Sequence, residues 1–184
     1  MFNNKTSLVE FHDIDIFTKR LYNKISVFHD LKDVFVIITF VGHSSLYNCD
    51  DLSEKVRKAI IDNTQSEDNI IFYCKGYGDF DNLCAKVCKL IKDTRQNCEV
   101  VFVTPYISKS HEAILSQKLY DLTLYPPLES VPPKFAISKR NEWMIDQADL
   151  VIAYIDHTYG GAYKSFCYAK RKKKRVINLS QKSE

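Results

Sequence analysis

The chain has 184 residues, of which 45% are hydrophobic and 27% charged, and a formal net charge of +3. That length and composition fit one globular domain with a proper core and exclude a disordered or collagen-like chain. The charge is too small to argue for nucleic acid by itself, and no apolar run approaches the ~20 residues of a membrane span.

The six cysteines (49, 74, 84, 88, 98 and 167) form no CxxC pair and no zinc-ligand spacing. Reduced thiols partly in the core are expected, with no metal site and no cofactor. Met1 to Glu10 holds no sustained apolar run, so no signal peptide is expected and a cytoplasmic protein without a membrane partner is the reading.

From Asp13, the apolar residues Ile14, Phe17, Leu21, Ile25 and Phe28 recur at spacings of three or four, which predicts an amphipathic helix. Residues 1–33 are therefore read as an N-terminal helical extension, and 34–184 as a single domain. The stripe packs either on its own domain or on a second subunit, and a homo-oligomer is the expectation.

Val34 to Val41 is an uncharged run of β-branched and aromatic residues, as in a strand of a parallel sheet buried on both faces. It ends in Gly42, His43 and Ser44. Asp51 and Glu54 resemble a capping box before a helix with Leu52, Val56, Ala59 and Ile60 on one face. Asn69 to Cys74 reads as the second strand and runs into Gly76, Tyr77 and Gly78. Asp81 is read as the N-cap of the helix that follows, or as a carboxylate for a ribose hydroxyl. It would repel a phosphate, so Gly76 and Gly78 are the better phosphate candidates of that loop.

Glu99 to Thr104 is the third strand, closed by Pro105, with a helix expected over 107–120 and a short strand over Leu122 to Tyr125. Pro126 to Pro133 holds four of the five prolines and reads as an ordered loop. A helix over Phe135 to Ala148 puts Ile137, Asn141, Met144, Ile145 and Ala148 on one stripe, so Asn141 needs a partner, backbone or ligand. Arg140 lies beside it. Leu150 to Ile155 is the fifth strand, followed by Gly160 and Gly161 and a helix carrying Lys164 and Ser165 near its start. Lys170 to Arg175 is the most basic run, and it falls at a helix C-terminus, where the dipole favours cations. Arg175 to Leu179 is the last strand.

Alternating strands and helices predict an α/β fold of Rossmann-like, doubly wound type, with a mainly parallel sheet and helices on both faces. Three glycine-bearing loops each follow a strand, so all three belong at the carboxyl edge of one sheet, where such folds bind ligands. A strand opening through glycines into a helix suits an anion, because the glycines admit a phosphate and the helix N–H groups face it. No GxGxxG is present, so a dinucleotide dehydrogenase is unsupported.

The segments ITFVGHSSLY, FYCKGYGDFDNL, VFVTPY, LYPPLESVPPKFAISKRNEWMIDQADLVIAYI and GGAYKSFCYAKRKKKRVINL resemble the SLOG superfamily, in particular its short, stand-alone, YpsA-like bacterial branch. The resemblance covers roughly residues 34–180. It implies a fold that binds nucleotides or nucleotide derivatives, in some relatives as sensors in bacterial conflict and anti-phage systems. Other relatives, the LOG enzymes, hydrolyse the N-glycosidic bond of nucleoside monophosphates. A third branch, DNA-processing protein A, binds single-stranded DNA. Against the LOG pattern, Arg140 holds the arginine position, Asn141 replaces a lysine, and Gly160 and Gly161 match the glycine pair. Tyr163, Lys164 and Cys167 replace the third glycine, the threonine and the catalytic glutamate, so no catalytic residue is assigned. The expected partner is a nucleotide-like small molecule, sensed rather than turned over. An N-glycosidic hydrolase using another carboxylate and a nucleic-acid binder are the alternatives.

Overall fold

The computed structural model describes residues 35–46, 51–106, 108 and 111–180; the helix expected over residues 1–33 lies outside them. Six strands form one sheet: β1 (Phe35–Gly42), β2 (Asn69–Cys74), β3 (Cys98–Val103), β4 (Leu122–Leu124), β5 (Leu150–Tyr154) and β6 (Arg175–Asn178). The described helices are α1 (Leu52–Ile61), α2 (Asp79–Thr94), α3 (His111–Leu115), α4 (Pro133–Gln147) and α5 (Gly160–Arg171).

All strand pairs are parallel, in the order β4-β3-β2-β1-β5-β6. The chain winds outward from β1 to β4, then returns to place β5 on the other side of β1. This reversal opens a crevice beyond the carboxyl ends of β1 and β5, the usual ligand position of open α/β sheets. The two strands end level there, with Gly42 opposite Tyr154.

Alternation along the strands feeds two cores. Ile38, Phe40, Ile70, Phe72, Leu150 and Ile152 pack with the apolar faces of α1 and α2. Val41, Val151 and Ala153 pack on the other face with Ile145 and Ala148, around α4, and Ala169 of α5. The doubly wound fold expected from the sequence is the observed one. No helix among the described residues is long and apolar enough to cross a membrane.

Several local expectations are corrected. Asp51 makes no side-chain cap bond at α1; it pairs with Lys55, and Glu54 pairs with Arg57, so the capping box is replaced by two exposed ion pairs. Of the helix expected over 107–120, residues 107, 109 and 110 lie outside the described residues; from 111 onward it is helical only over His111–Leu115, and Lys118 follows with a left-handed φ of 53° that a helix cannot continue through. Pro133 belongs to α4 as its first residue, where the missing N–H costs nothing. The buried row of α4 is Ala136, Arg140 and Met144, while Ile137 is 53% exposed. Met144, Ile145 and Ala148 of the expected stripe are buried, but in the N-terminal half Ala136 and Arg140 turn inward in place of Ile137 and Asn141, because a buried arginine carries no apolar signal.

Candidate functional site

An open cleft of about 700 Å³ lies over the crevice between β1 and β5. Its lining brings together Gly42, His43 and Ser44 after β1, Tyr77 and Asp81 around the start of α2, Arg140 and Asn141 of α4, and Gly160, Gly161 and Ser165 of α5. Gly76, Gly78 and Lys164, also expected at the site, are not in the lining. Lys75, Asp156, His157 and Tyr159 are in it, and the sequence reading did not select them. A signal was available: Lys75 directly follows β2, and Asp156 to Tyr159 span the β5–α5 loop, so both belong to the binding edge.

The glycines divide by what surrounds the missing side chain. A Cβ on Gly42 would meet the Phe80 ring at 2.1 Å, so this residue is glycine to let α2 pack on β1. A Cβ on Gly76 would meet Phe102 and Ile114, and one on Gly78 the Ser44 backbone at 2.8 Å. Those two shape the β2–α2 loop, where a side chain at either position would clash. Gly160 and Gly161 face open space, with nothing within 4 Å of either Cβ position. Gly160 also has a φ of +84°, which side chains rarely adopt. Together they begin α5, a helix whose N-cap residue Tyr159 makes no side-chain cap bond. The first-turn N–H groups have no intrahelical partner, and they carry the positive end of the dipole toward the cleft.

The floor of the cleft is charged. Asp81 is 2% exposed and is the third residue of α2, not its N-cap; that place is taken by Gly78. The carboxylate accepts the Tyr77 N–H at 3.3 Å and forms an ion pair with Lys75 Nζ at 3.4 Å. Burial raises its pKa, and Lys75 and Arg140 oppose that rise. Lys75 Nζ also donates to the Phe40 carbonyl at 3.1 Å. Arg140, 3% exposed, donates from Nη1 to the Val103 carbonyl at 2.7 Å and from Nε to the Asn141 side-chain oxygen at 2.9 Å. Asn141 thus finds its partner in its neighbour. Burial lowers the Arg140 pKa, and the Asp81 carboxylate holds it up in part. Two cations and one carboxylate leave the floor net positive.

At the rim, the His43 and His157 rings stack with centroids 3.4 Å apart, and Tyr159 lies 4.1 Å beyond His157. Asp156 reaches both histidines, at 3.4 Å from His43 Nε2 and 2.5 Å from His157 Nδ1. Burial, and after it the neighbouring His157, pushes the His43 pKa down; Asp156 works the other way. Tyr77 and Tyr159 are exposed, 46% and 71%. Ser165 spends its hydroxyl on the Gly161 carbonyl at 3.0 Å. Cys167 is exposed and outside the lining.

The basic run after α5 is partly used by the fold itself. Lys174 Nζ donates to the carbonyls of Asp146 and Ala148, closing the end of α4. Lys172 pairs with Asp146 at 3.6 Å.

No protein-family model and no curated protein matches the sequence. Among solved structures, the chain is similar to DNA processing protein A from Helicobacter pylori, a structure solved for its single-stranded DNA binding mode. The TM-score is 0.56 at 13% identity, over 83% of this chain and 69% of that one. It is similar to DNA processing protein A from Streptococcus pneumoniae with a TM-score of 0.51 at 17% identity, over 77% of this chain. The match spans only 49% of the pneumococcal chain, about half its length. The molybdenum cofactor carrier protein of Chlamydomonas reinhardtii matches at a TM-score of 0.47, with 14% identity over 80% of this chain and 78% of that one. The fold is therefore a Rossmann-like fold shared with DNA processing protein A, as the alternation of strands and helices led us to expect.

Proposed function

We propose that this protein binds a phosphorylated nucleoside, or a derivative of one, in the cleft between the β1 and β5 loops, and acts by holding it rather than by turning it over. The observation that carries this reading is the net positive floor of Lys75, Asp81 and Arg140 facing the open N-terminus of α5. A buried cation without a matching anion is costly, and an anionic ligand removes that cost. Gly160 and Gly161 give a phosphate direct access to backbone N–H groups. The exposed rings of Tyr77 and Tyr159 offer apolar faces on which a base stacks.

Holding is favoured over hydrolysis by where the carboxylates are. Departure of a base from ribose builds oxocarbenium-like charge, which a carboxylate must stabilise. The family's glutamate position holds Cys167, exposed and outside the lining. Of the carboxylates that do line the cleft, Asp156 is held by the two histidines, and Asp81 is buried beside Lys75 with one oxygen accepting the Tyr77 N–H and the other making no hydrogen bond.

Calorimetric titration with nucleosides, nucleoside mono-, di- and triphosphates and ADP-ribose tests the reading. Phosphorylated ligands should bind and plain nucleosides should not. Chromatography of the recovered ligand should return it intact. Free base in the recovered fraction would replace the sensor with a hydrolase. Single-stranded DNA binding that weakens steeply with salt, with no affinity for mononucleotides, would favour the nucleic-acid alternative.

A further inference from the structure

The rim of the cleft holds a donor set that nucleotide binding alone does not explain. His43 follows β1 and Asp156 and His157 follow β5, so two strand ends that pair in the sheet bring together residues over a hundred positions apart in sequence. One ligand atom from each of the three lies within 4.8 Å of the other two. His43 is 8% exposed, and its Nε2 is buried without a hydrogen bond. The nearest charged atom, Asp156 Oδ1 at 3.4 Å, is within ion-pair reach but out of hydrogen-bond alignment. An imidazole nitrogen held this way, stacked on a second imidazole, is an unsatisfied polar atom in a dry position. Such an atom needs a partner that approaches from the cleft side.

We propose that His43 Nε2, Asp156 and His157 Nδ1 bind one divalent transition-metal ion of the zinc class, leaving at least one coordination position open toward the cleft. Two neutral imidazoles and one carboxylate suit zinc, cobalt, nickel or iron, whereas magnesium and calcium prefer all-oxygen sites. Metal–nitrogen and metal–oxygen bonds of about 2.0–2.2 Å set tetrahedral ligand atoms about 3.3 Å apart. The His43–Asp156 separation of 3.4 Å meets that spacing as it stands. The His157–Asp156 contact of 2.5 Å must open by about 1 Å, and the His157 ring must turn out of its stack on His43 so that both in-plane lone pairs point at one ion. Both side chains are part-exposed, at 35% and 45%, and have room to move. The open position lies beside Gly160 and Gly161, where the phosphate is placed by the functional proposal above. A water or a phosphate oxygen completes the coordination. The metal site itself does not depend on that proposal, because it is tested with metal alone.

The test uses the full chain, untagged and stripped with a chelator. Titration with Zn²⁺ by calorimetry should show one equivalent bound, and an excess of Mg²⁺ should not displace it. Co²⁺ should give an intense visible absorption of four- or five-coordination, bleached by Zn²⁺. Asp156→Asn and His157→Ala, both at part-exposed positions, should each weaken Zn²⁺ at least tenfold with the melting temperature of the metal-free chain unchanged. His43→Ala should do the same, but its buried ring makes it the less clean variant. His111→Ala, outside the triad, should bind Zn²⁺ as the wild type does. No saturable Zn²⁺ binding, or binding untouched in Asp156→Asn and His157→Ala, would overturn the proposal.

Discussion

Gly42 stands at the mouth of the cleft, yet its lack of a side chain serves the fold. A Cβ built there lies 2.1 Å from Phe80 Cδ1, 2.4 Å from Cγ and 2.9 Å from Cβ. Carbon atoms in ordinary contact stand about 3.5–4.0 Å apart, so the ring would have to retreat by roughly 1.5 Å. It has nowhere to go, because Phe80 is 1% exposed and packed in the core, with the Tyr154 ring 6.0 Å away. Gly42→Ala should therefore cost the ~1–3 kcal/mol of an overpacked core. Phe80→Ala alone should cost ~3–5 kcal/mol through the cavity it leaves. The two should not add. With the ring gone, the new methyl occupies part of the cavity, and most of its clash disappears. The double variant should lose less than the sum of the two by about 1 kcal/mol, the remaining cost coming from the Cβ that Phe80→Ala keeps 2.9 Å from the new methyl. Urea unfolding of the four proteins measures this, read from the midpoints at constant slope. A loss below ~0.5 kcal/mol in Gly42→Ala, or simple additivity, would refute the packing role and return Gly42 to the ligand.

Asp81→Ala should lower stability by about 3–5 kcal/mol, since Lys75 and Arg140 would keep their charge in a buried floor without an anion; an urea-unfolding loss near zero would mean that the floor is already solvated. His111 is buried, and burial followed by the Arg140 charge sets its pKa below the ordinary 6.5. The unfolded chain then takes up that proton first, so its stability contribution is present above pH 6.5 and is lost as pH falls below it. Asp81, with a raised pKa, works in the opposite sense, so the measurement is the difference in acid-side slope between wild type and His111→Phe, which should be flatter in the variant. Tyr159→Ala, at a 71% exposed position, should leave stability within ~0.5 kcal/mol and weaken nucleotide binding by ~1–3 kcal/mol if a base stacks there, as titration and thermal melting together report.

The sheet was legible because its strands are buried on both faces and read as apolar runs; Asn69–Cys74 was bounded to the residue. The parallel pairing followed from the alternation of strands and helices, while the order of the strands came from the fold. What failed was the meaning of single polar residues inside the fold. Arg140 is buried by a bond to the Val103 carbonyl, a partner 37 residues away that no local pattern announces. That burial brings Arg140 inward with Ala136 and leaves Ile137 outside, while Met144 and Ile145 stay buried as expected. Glycine is ambiguous for a related reason: the same residue leaves open space at Gly161 and admits a phenyl ring at Gly42. His43 and His157 could not be joined by spacing, because only the pairing of β1 with β5 brings their loops together. The edge of the sheet on which the cleft lies was readable; which residues meet across its two loops required the fold.

The most direct test of ligand binding in this cleft is titration of Gly161→Val. The Cβ position there has nothing within 4 Å, and α5 continues through it, so valine is accommodated by the fold. Replacing a glycine in a helix with valine should leave the melting temperature unchanged or slightly raised. The branched side chain would stand where the phosphate meets the first N–H groups of α5. Calorimetry with the tightest nucleotide ligand of the wild type should then show affinity reduced at least tenfold. Undiminished affinity in a folded Gly161→Val protein would contradict the account and remove the β5–α5 loop from the binding site.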